Sequence, residues 1–310
     1  MLNTPILFLI FNRPDTTEKV FAEIRKQQPR YLFIAADGPR KNKPDDVVLS
    51  NKCKQIVSKI DWDCQVETLY QVNNLGCGFA PATAITWFFS KVEEGIILED
   101  DCIPNDSFFK FCESLLIEHR NNINVMMICG TSYQPKPLNN DTYYFSKYPH
   151  AWGWATWKRA WANYNFKLDN ESEETRALVI KNTFTNNRER SMWVGNIKMI
   201  INGLDAWDYQ WMYWIWKNNG LCAVPWRNMI SNIGFGVNAT HTFDSNSNQS
   251  RMVQHKIEGI HHPKHIAVNT KADQYERHAI LIGSNTAYYL SKLRQVLSRI
   301  AKFAFTKNGK

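Results

Sequence analysis

The 310-residue sequence has no apolar run near eighteen residues, so it lacks a segment with the length of a membrane-spanning helix. It also lacks the basic n-region of a secretory signal peptide, and Pro5 interrupts its first apolar stretch, so we predict a cytoplasmic protein. Only 21% of the residues are charged and 44% are hydrophobic, which excludes a disordered or coiled-coil chain. The composition therefore indicates a folded globular protein with ample apolar side chains for a core.

Cysteine pairs with metal or redox spacing are also lacking. The seven cysteines are scattered along the chain, and no two of them form a C-x-x-C pair. An odd number of cysteines without zinc spacing is typical of reduced, buried thiols rather than of a disulfide or zinc scaffold. This pattern agrees with a cytoplasmic protein.

A basic surface on the main body of the protein is lacking as well, although the net charge is +8. Seven of the 37 basic residues follow Glu276, where no acidic residue occurs, so residues 1–276 carry 30 basic and 29 acidic residues. Affinity that is dominated by phosphate contacts needs a basic face on the folded domain. We therefore predict that nucleic acid is not a partner.

Strand-like and helix-like segments alternate over the first hundred residues. We predict four strands, at residues 6–11, 31–36, 64–70 and 95–98, with helices between them at residues 15–26 and 46–60 and after the loop at 73–78. This alternation predicts an α/β protein with βαβ units and a mostly parallel sheet flanked by helices. Ligands of such a sheet bind beyond the carboxyl ends of its strands.

Polar residues follow each of the four predicted strands. They are Asn12 and Arg13, Asp37 and Gly38, the loop at 73–78, and the triplet Glu99, Asp100 and Asp101. An acidic triplet alone is more often a solvated turn, but three carboxylates directly after a buried strand repel one another unless a cation neutralises them. The position of the triplet at a strand end, after three other polar strand ends, indicates a cation site.

The segment IILEDDCIPNDSFF at residues 96–109 resembles the metal-binding DXD segment of GT-A fold glycosyltransferases. Its Glu-Asp-Asp form is most similar to the N-acetylglucosaminyltransferase I type. The opening LFLIFNRP at 7–14, the ADG strand end at 36–38 and the NLG segment at 74–76 resemble nucleotide-pocket elements of that family in the same order. The resemblance covers residues 5–245. It implies a Rossmann-like GT-A fold with a nucleotide-sugar-binding half at 1–130 and an aromatic-rich acceptor-binding half at 131–270.

The resemblance implies a metal-dependent, inverting transfer of a sugar from a nucleoside-diphosphate donor such as a UDP-sugar. The acceptor would be a hydroxyl of a glycan or of a lipid-linked glycan. A divalent ion, Mn²⁺ or Mg²⁺, would neutralise the charge that develops on the leaving diphosphate. By resemblance Asp101 is the direct metal ligand, and Asp100 and Glu99 hold ribose and sugar hydroxyls or orient metal-bound water.

Three further residues have implied nucleotide contacts, each with another explanation or an open detail. Asp37 would meet the base or the ribose. Arg13 would meet the nucleotide, but a salt bridge to an acid such as Asp15 explains it equally well. Gly76 would let the backbone approach the donor closely, and a plain turn before a helix explains it equally well.

Ten of the twelve tryptophans lie from Trp152 onward. The spacing of Trp207, Trp211 and Trp214 at i, i+4 and i+7 predicts a helix face buried against the sheet. The resemblance implies that Trp154, next to Gly153, and Trp207 line the cleft for the acceptor, since aromatic faces stack on sugar rings.

The resemblance also implies a general base and a second metal ligand in the later half. Asp208 would take the proton from the acceptor hydroxyl, with Asp205 as the alternative because Tyr209 replaces the second acid that commonly follows. A first-turn helix acid favoured by the helix dipole explains Asp208 equally well. The segment at 230–242 resembles a mobile loop that closes over bound donor, and its His241 would supply the second metal ligand.

Two other functions share parts of this pattern. A nucleotidyltransferase would have the same sheet and acidic site, but it should carry a Gly-rich, basic phosphate loop after the first strand, which the NRPD segment at 12–15 lacks. A non-catalytic carbohydrate-binding protein would use the tryptophans, with no reason to keep three acids after a buried strand.

The last residues, 271–310, form a basic amphipathic tail. From Tyr289 onward the apolar residues fall on one helical face, with lysines and arginines on either side of it. This pattern is typical of a helix in a membrane interface, although packing of the same face on the domain is the alternative. We predict peripheral association with the inner face of the membrane, where a lipid-linked acceptor resides.

Overall fold

The computed structural model describes residues 1–235 and 248–283. Within these residues the large sheet consists of eight strands: β1 (Ile6–Ile10), β2 (Tyr31–Ala36), β3 (Gln65–Tyr70), β4 (Glu94–Glu99), β6 (Val125–Cys129), β7 (Tyr143–Ser146), β8 (Trp154–Trp157) and β9 (Leu221–Pro225). A second, two-stranded sheet pairs β5 (Cys102–Pro104) with β10 (Ile230–Asn232).

The order of the large sheet is β3-β2-β1-β4-β8-β6-β9-β7. The first four strands in this order are parallel to one another, and β6 and β9 are also parallel, whereas β8 and β7 pair with their neighbours in the antiparallel direction. This arrangement confirms the predicted mostly parallel α/β fold. The four strands predicted from the sequence are the first four strands of the chain, and their bounds differ from the prediction by one residue at most.

Helices follow the strands of the first half in alternation, and five further helices of the described residues come after β8. The helices in the described residues are α1 (Pro14–Gln27), α2 (Asp45–Val57), α3 (Gly76–Lys91), α4 (Asp106–His119), α5 (Lys158–Trp161), α6 (Glu173–Thr183), α7 (Asn187–Ile201), α8 (Asp208–Lys217) and α9 (Thr270–Glu276). A 3₁₀ turn at Asn248–Arg251 and a π-helical turn at Arg277–Leu281 complete them.

Both faces of the sheet are covered, which explains why its strands are continuous apolar runs. All five residues of β1 are buried, and they alternate between two cores. Ile6, Phe8 and Ile10 belong to the core that contains the apolar face of α1, whereas Leu7 and Leu9 belong to the core that contains α3 and α8. The strand β1 is therefore buried between two cores along its whole length, and the polar residues Asn12 and Arg13 follow it directly.

The chain after β9 returns to the body of the protein through α9. Ala272, Asp273 and Glu276 are buried, and the Ser146 hydroxyl donates to Asp273 over 2.6 Å. Residues 271–283, which the sequence assigned to the basic tail, thus start inside the folded body, and residues 284–310 lie outside the described residues. None of the described helices is long and apolar enough to cross a membrane.

Candidate functional site

A cavity of about 1510 Å³ opens at the carboxyl ends of β1, β2 and β4. Eight residues predicted to be functional line it: Arg13, Asp37, Gly76, Glu99, Asp100, Asp101, Trp207 and Asp208. They come from segments far apart in the chain, and the parallel strands bring them together at one edge of the sheet. Trp154 does not line the cavity, and His241 lies outside the described residues.

Two acids of the triplet, Asp100 and Asp101, form ion pairs with one arginine of the same chain. Arg13 follows β1, and its guanidinium donates through Nη2 to Asp100 and through Nη1 to Asp101 Oδ2, the latter over 2.8 Å. The Phe11 N–H also donates to Asp100, over 3.3 Å. The ion pair weighed from the sequence, with Asp15, is thus replaced by pairs with two of the three acids.

Burial and the repulsion between neighbouring charges make two acids of the triplet, Glu99 and Asp100, costly to ionise. Burial raises the pKa of Glu99 to about 8, the charge of Asp101 adds to the effect, and Arg13 opposes it. Burial likewise raises the pKa of Asp100 to about 6 against the lowering effect of Arg13. Asp208 lies close enough for its charge to raise the pKa of Glu99 as well. The cavity therefore concentrates carboxylates in a place that favours a further cation.

The donor set at this place fits a hard divalent ion. In the part of the chain that the structure describes, no three His, Cys, Asp or Glu side chains are placed to enclose a metal ion. Mg²⁺, however, keeps several waters and is usually held by one or two carboxylates together with substrate phosphates, so a closed protein cage is not required. Carboxylate oxygens on a cavity large enough for a nucleotide match that requirement.

The backbone after β10 passes directly over the carboxylate of Asp101. A Cβ added at Gly234 would lie 2.0 Å from Asp101 Oδ2, and the Ile233 N–H donates to the Asp101 carbonyl over 2.8 Å. The segment predicted to be a mobile loop thus begins as a strand paired with β5, next to the acids. Its remainder, residues 236–242 with His241, lies outside the described residues, so its motion and the second metal ligand stay predictions.

Asp37 anchors the loop that precedes α3. Its two carboxylate oxygens accept hydrogen bonds from the N–H groups of Gly38, Leu75 and Gly76 and from Asn74 Nδ2, at 2.7 to 3.1 Å. Burial nevertheless raises the pKa of Asp37. The structure therefore gives Asp37 a definite role in holding this loop at the cavity, and its contact with a base or ribose stays a prediction.

Gly76 is required by the turn and by its neighbour. Its φ is +91°, and a Cβ there would lie 2.3 Å from Asp205 Oδ2, so another residue would be strained and would clash. Asp205 in turn accepts the Gly78 N–H over 2.9 Å at the start of α3. The close approach at Gly76 is thus to Asp205, which favours the plain-turn explanation. Asp205, the alternative base, is engaged in fixing α3.

Asp208 is the first residue of α8 and lines the cavity. Its position at a helix N-terminus agrees with the dipole explanation, and its position on the cavity agrees with a role as a base, so the two are compatible. Its charge adds to burial in raising the pKa of Tyr164 and of Tyr209. Asp208 therefore places a second carboxylate group on the wall of the cavity, in addition to the triplet.

The predicted stacking of an acceptor sugar on Trp154 is wrong. Trp154 is 0% exposed because it lies on β8 in the middle of the sheet, where its ring stacks on Trp207 with centroids 5.5 Å apart. Trp207 is buried too, although it lines the cavity. Trp152, two residues earlier, lines the cavity and meets the Phe235 ring edge to face at 5.7 Å.

One cluster on the cavity was missed by sequence reasoning. Asp46, buried in α2, accepts two hydrogen bonds from the guanidinium of Arg40 and one from Asn12 Nδ2. Arg40 in turn lies over the Phe11 ring, with its Cζ 5.4 Å from the centroid. The signal that was available is the position of Arg40 directly after the polar end of β2, since an arginine there must lie at the same edge as the triplet.

Comparison with known proteins finds distant similarities to solved structures. No known protein family and no curated protein matches the chain. Among solved structures, an inositol-1-phosphate CTP transferase from T. maritima is 7% identical, with 73% of this chain and 86% of that chain covered and a TM-score of 0.40. A 4-diphosphocytidyl-2C-methyl-D-erythritol synthase from Anaerococcus prevotii is 10% identical, with 51% and 72% covered and a TM-score of 0.31.

A UDP-glucose pyrophosphorylase complexed with UDP-glucose is also similar, at 12% identity, with 47% of this chain and 62% of that chain covered and a TM-score of 0.26. Glycosyl transfer is the main expectation from the sequence, and nucleotidyl transfer is an alternative to it. Identities and TM-scores this low do not carry either activity over to this chain. The choice between them depends on the chemistry of the site.

Proposed function

We propose that this protein is a transferase that binds a nucleoside-diphosphate sugar with a divalent ion and moves the sugar to an acceptor hydroxyl. The observation that carries the proposal is the presence of two separate carboxylate groups, the Glu99–Asp101 triplet and Asp208, on the walls of one cavity. Glycosyl transfer needs both: negative charge to hold a cation at the leaving diphosphate, and a base for the incoming hydroxyl.

The residues at the strand ends would bind the donor. Asp101 would hold the divalent ion, which would neutralise charge on the departing diphosphate. Glu99 and Asp100 would accept hydrogen bonds from ribose and sugar hydroxyls, and Arg13 would pair with phosphate oxygens. The loop that Asp37 holds in place would form the wall on the nucleotide side.

The residues at the start of α8 would activate the acceptor. Asp208 would take the proton of the attacking hydroxyl as its oxygen bonds to the anomeric carbon, while the bond from that carbon to the diphosphate oxygen breaks. Attack from the side opposite the leaving group inverts the anomeric carbon. Trp152 and Phe235, which line the cavity, are the aromatic side chains we propose for contact with the acceptor.

Nucleotidyl transfer is the second candidate, and the cations on the cavity are the observation in its favour. Arg13 and Arg40 both line the cavity, where a nucleoside triphosphate would need positive charge. Both guanidiniums are paired with carboxylates, however, and β1 leads into α1 through Pro14 without a glycine-rich loop. These two arginines are therefore already engaged, and the glycine-rich loop whose N–H groups would bind the triphosphate is lacking after β1.

The products separate the two reactions. Glycosyl transfer, or slow hydrolysis in the absence of acceptor, releases a nucleoside diphosphate from a nucleotide sugar. In nucleotidyl transfer a sugar phosphate reacts with a nucleoside triphosphate, and the triphosphate releases pyrophosphate. We expect nucleoside diphosphate from a panel of nucleotide sugars with Mn²⁺ present, and none with excess chelator.

Two variants complete this test. Asp101→Ala should abolish both turnover and its dependence on Mn²⁺, whereas Asp61→Ala, which removes an exposed carboxylate from a surface ion pair with Arg25, should leave both unchanged. Full activity of the wild type in excess chelator would contradict the metal proposal. Pyrophosphate release would establish nucleotidyl transfer, and donor binding without either product would favour a carbohydrate-binding protein.

A further inference from the structure

Arg13 pairs with the same carboxylates that the proposed function assigns to donor and ion. Its two terminal nitrogens are divided between two acids: Nη2 pairs with Asp100 and Nη1 with Asp101. The side chains of these acids are 3% and 12% exposed, while that of Arg13 is 30% exposed. The carboxylates are thus buried beneath a cation that still faces the cavity.

In the protein without ligand, Arg13 stabilises carboxylates that would otherwise be buried without a cationic partner. Buried carboxylates without a cationic partner are strongly destabilising, so a site made of three acids needs positive charge before any ligand arrives. A guanidinium remains protonated in folded proteins, whatever its surroundings. Arg13 therefore stays charged and supplies the missing cation.

The same arrangement opposes a divalent ion that arrives alone. An ion held by Asp101 would lie next to the guanidinium, and like charges at such short range repel strongly in a partly buried site. Because Asp100 and Asp101 use different nitrogens of Arg13, the contact with Asp101 can break while the contact with Asp100 is kept. The freed Nη1 is then a donor without an acceptor, and a diphosphate oxygen is a strong acceptor for it.

We infer that Arg13 is a positioning residue that exchanges Asp101 for the diphosphate of the donor, so that ion and nucleotide bind together and neither binds well alone. This inference rests on the proposed function, because it takes Asp101 as the ligand of the ion. It adds an order of events to that function: a nucleoside diphosphate brings the acceptor oxygens that release Asp101. Ion affinity should therefore depend on nucleotide, and that dependence should reside in Arg13.

The test measures Mn²⁺ binding by electron paramagnetic resonance of the free ion, with and without UDP, after subtraction of Mn²⁺ bound by UDP in buffer. In the wild type, UDP should raise the affinity for Mn²⁺ by about tenfold or more, the scale expected when one like charge is removed from a partly buried site. Arg13→Met should bind Mn²⁺ alone about tenfold more tightly than the wild type, with a correspondingly smaller gain from UDP.

Two controls isolate the contact from the charge of the protein. Arg25→Met removes a cation from an exposed pair with Asp61, away from the cavity, and should behave as the wild type does. Arg13→Lys keeps the charge but offers a single nitrogen in place of two, so it should keep Mn²⁺ binding weak while losing part of the gain from UDP. Near-ultraviolet circular dichroism of each variant reports whether it is folded.

The outcomes separate this inference from the proposed function. If folded Arg13→Met binds Mn²⁺ alone no more tightly than the wild type, the exchange is refuted, while loss of binding in Asp101→Asn would still support the proposed function. If the wild type binds no Mn²⁺ even with UDP, the proposed function itself fails. If Arg13→Met does not fold, the Mn²⁺ affinity of the wild type tests the inference instead. An equal affinity with and without UDP would overturn it.

Discussion

Raising the pH through 9 should destabilise this protein through one buried ion pair. His150 Nε2 lies 2.7 Å from Glu276 Oε1, and the two side chains are 4% and 3% exposed. The other ring nitrogen, Nδ1, lies 2.9 Å from the carbonyl oxygen of Thr131, so both nitrogens face acceptors. Burial alone would lower the pKa of His150, but the charge of Glu276 outweighs burial and raises that pKa to about 9.

The difference between this pKa and that of an unfolded histidine gives the size of the effect. A histidine in an unfolded chain titrates near pH ~6.5, so the folded protein binds this proton more tightly by about 3 kcal/mol. Since the folded pKa is the higher one, this stability is fully present below about pH 6.5 and is lost as the pH rises through 9. Burial raises the pKa of Asp273 to about 7, so this residue changes the free energy of unfolding mainly below that pH.

The assay is urea unfolding followed by tryptophan fluorescence at several pH values between about 6.5 and 10, the window in which His150 changes charge. Over this window the free energy of unfolding of the wild type should fall by about 3 kcal/mol more than that of His150→Gln. Glu276→Gln should remove the same dependence, because the proton on His150 then has no anionic partner. Parallel pH profiles for the wild type and His150→Gln would refute the assignment.

Three further predictions concern the cavity and the tail. Asp208→Asn should lower the transfer rate by about 10²-fold or more while donor binding stays near normal, as measured by kcat and donor Kd. Gly234→Ala should weaken Mn²⁺ binding because its Cβ would lie 2.0 Å from Asp101 Oδ2. Gly195→Ala, with no atom within 4 Å of its Cβ, should leave Mn²⁺ binding unchanged. Equal Mn²⁺ affinities of Gly234→Ala and the wild type would contradict the close approach. Removal of residues 288–310 should abolish salt-sensitive binding to anionic vesicles and preserve activity on a soluble acceptor, and aggregation of the truncated protein would instead place this segment in the core.

The parts of the fold that depend on neighbouring residues could be predicted from the sequence. The bounds of β2 agree with the prediction because a buried apolar run there is closed on both sides by residues that favour turns. The face of α8 that carries Trp211 and Trp214 follows from helical spacing and is buried as expected. The alternation of strands and helices predicts parallel strands, so the edge that carries the triplet was predicted as well.

The contacts within the site could not be predicted, because they join residues far apart in the chain. The partner of Arg13 could be weighed only among near neighbours, while its actual partners lie 87 and 88 residues away. The error at Trp154 has a different cause. The assignment of Trp154 to the cleft rested on a resemblance of the Gly-Trp segment, and a resemblance of this kind does not show that Trp154 lies on β8 whereas Trp152 precedes that strand.

The insertion of β8 between β4 and β6 has a consequence for the order in which the protein can fold. β4 pairs with β1 on one side and with Trp154–Trp157 on the other, so the edge of β4 stays unpaired while only the first half of the chain has been synthesised. An unpaired edge of a hydrophobic sheet is a site of intermolecular association. A fragment that ends near residue 130 should therefore aggregate, and the nascent chain is exposed to the same hazard until β8 has left the ribosome.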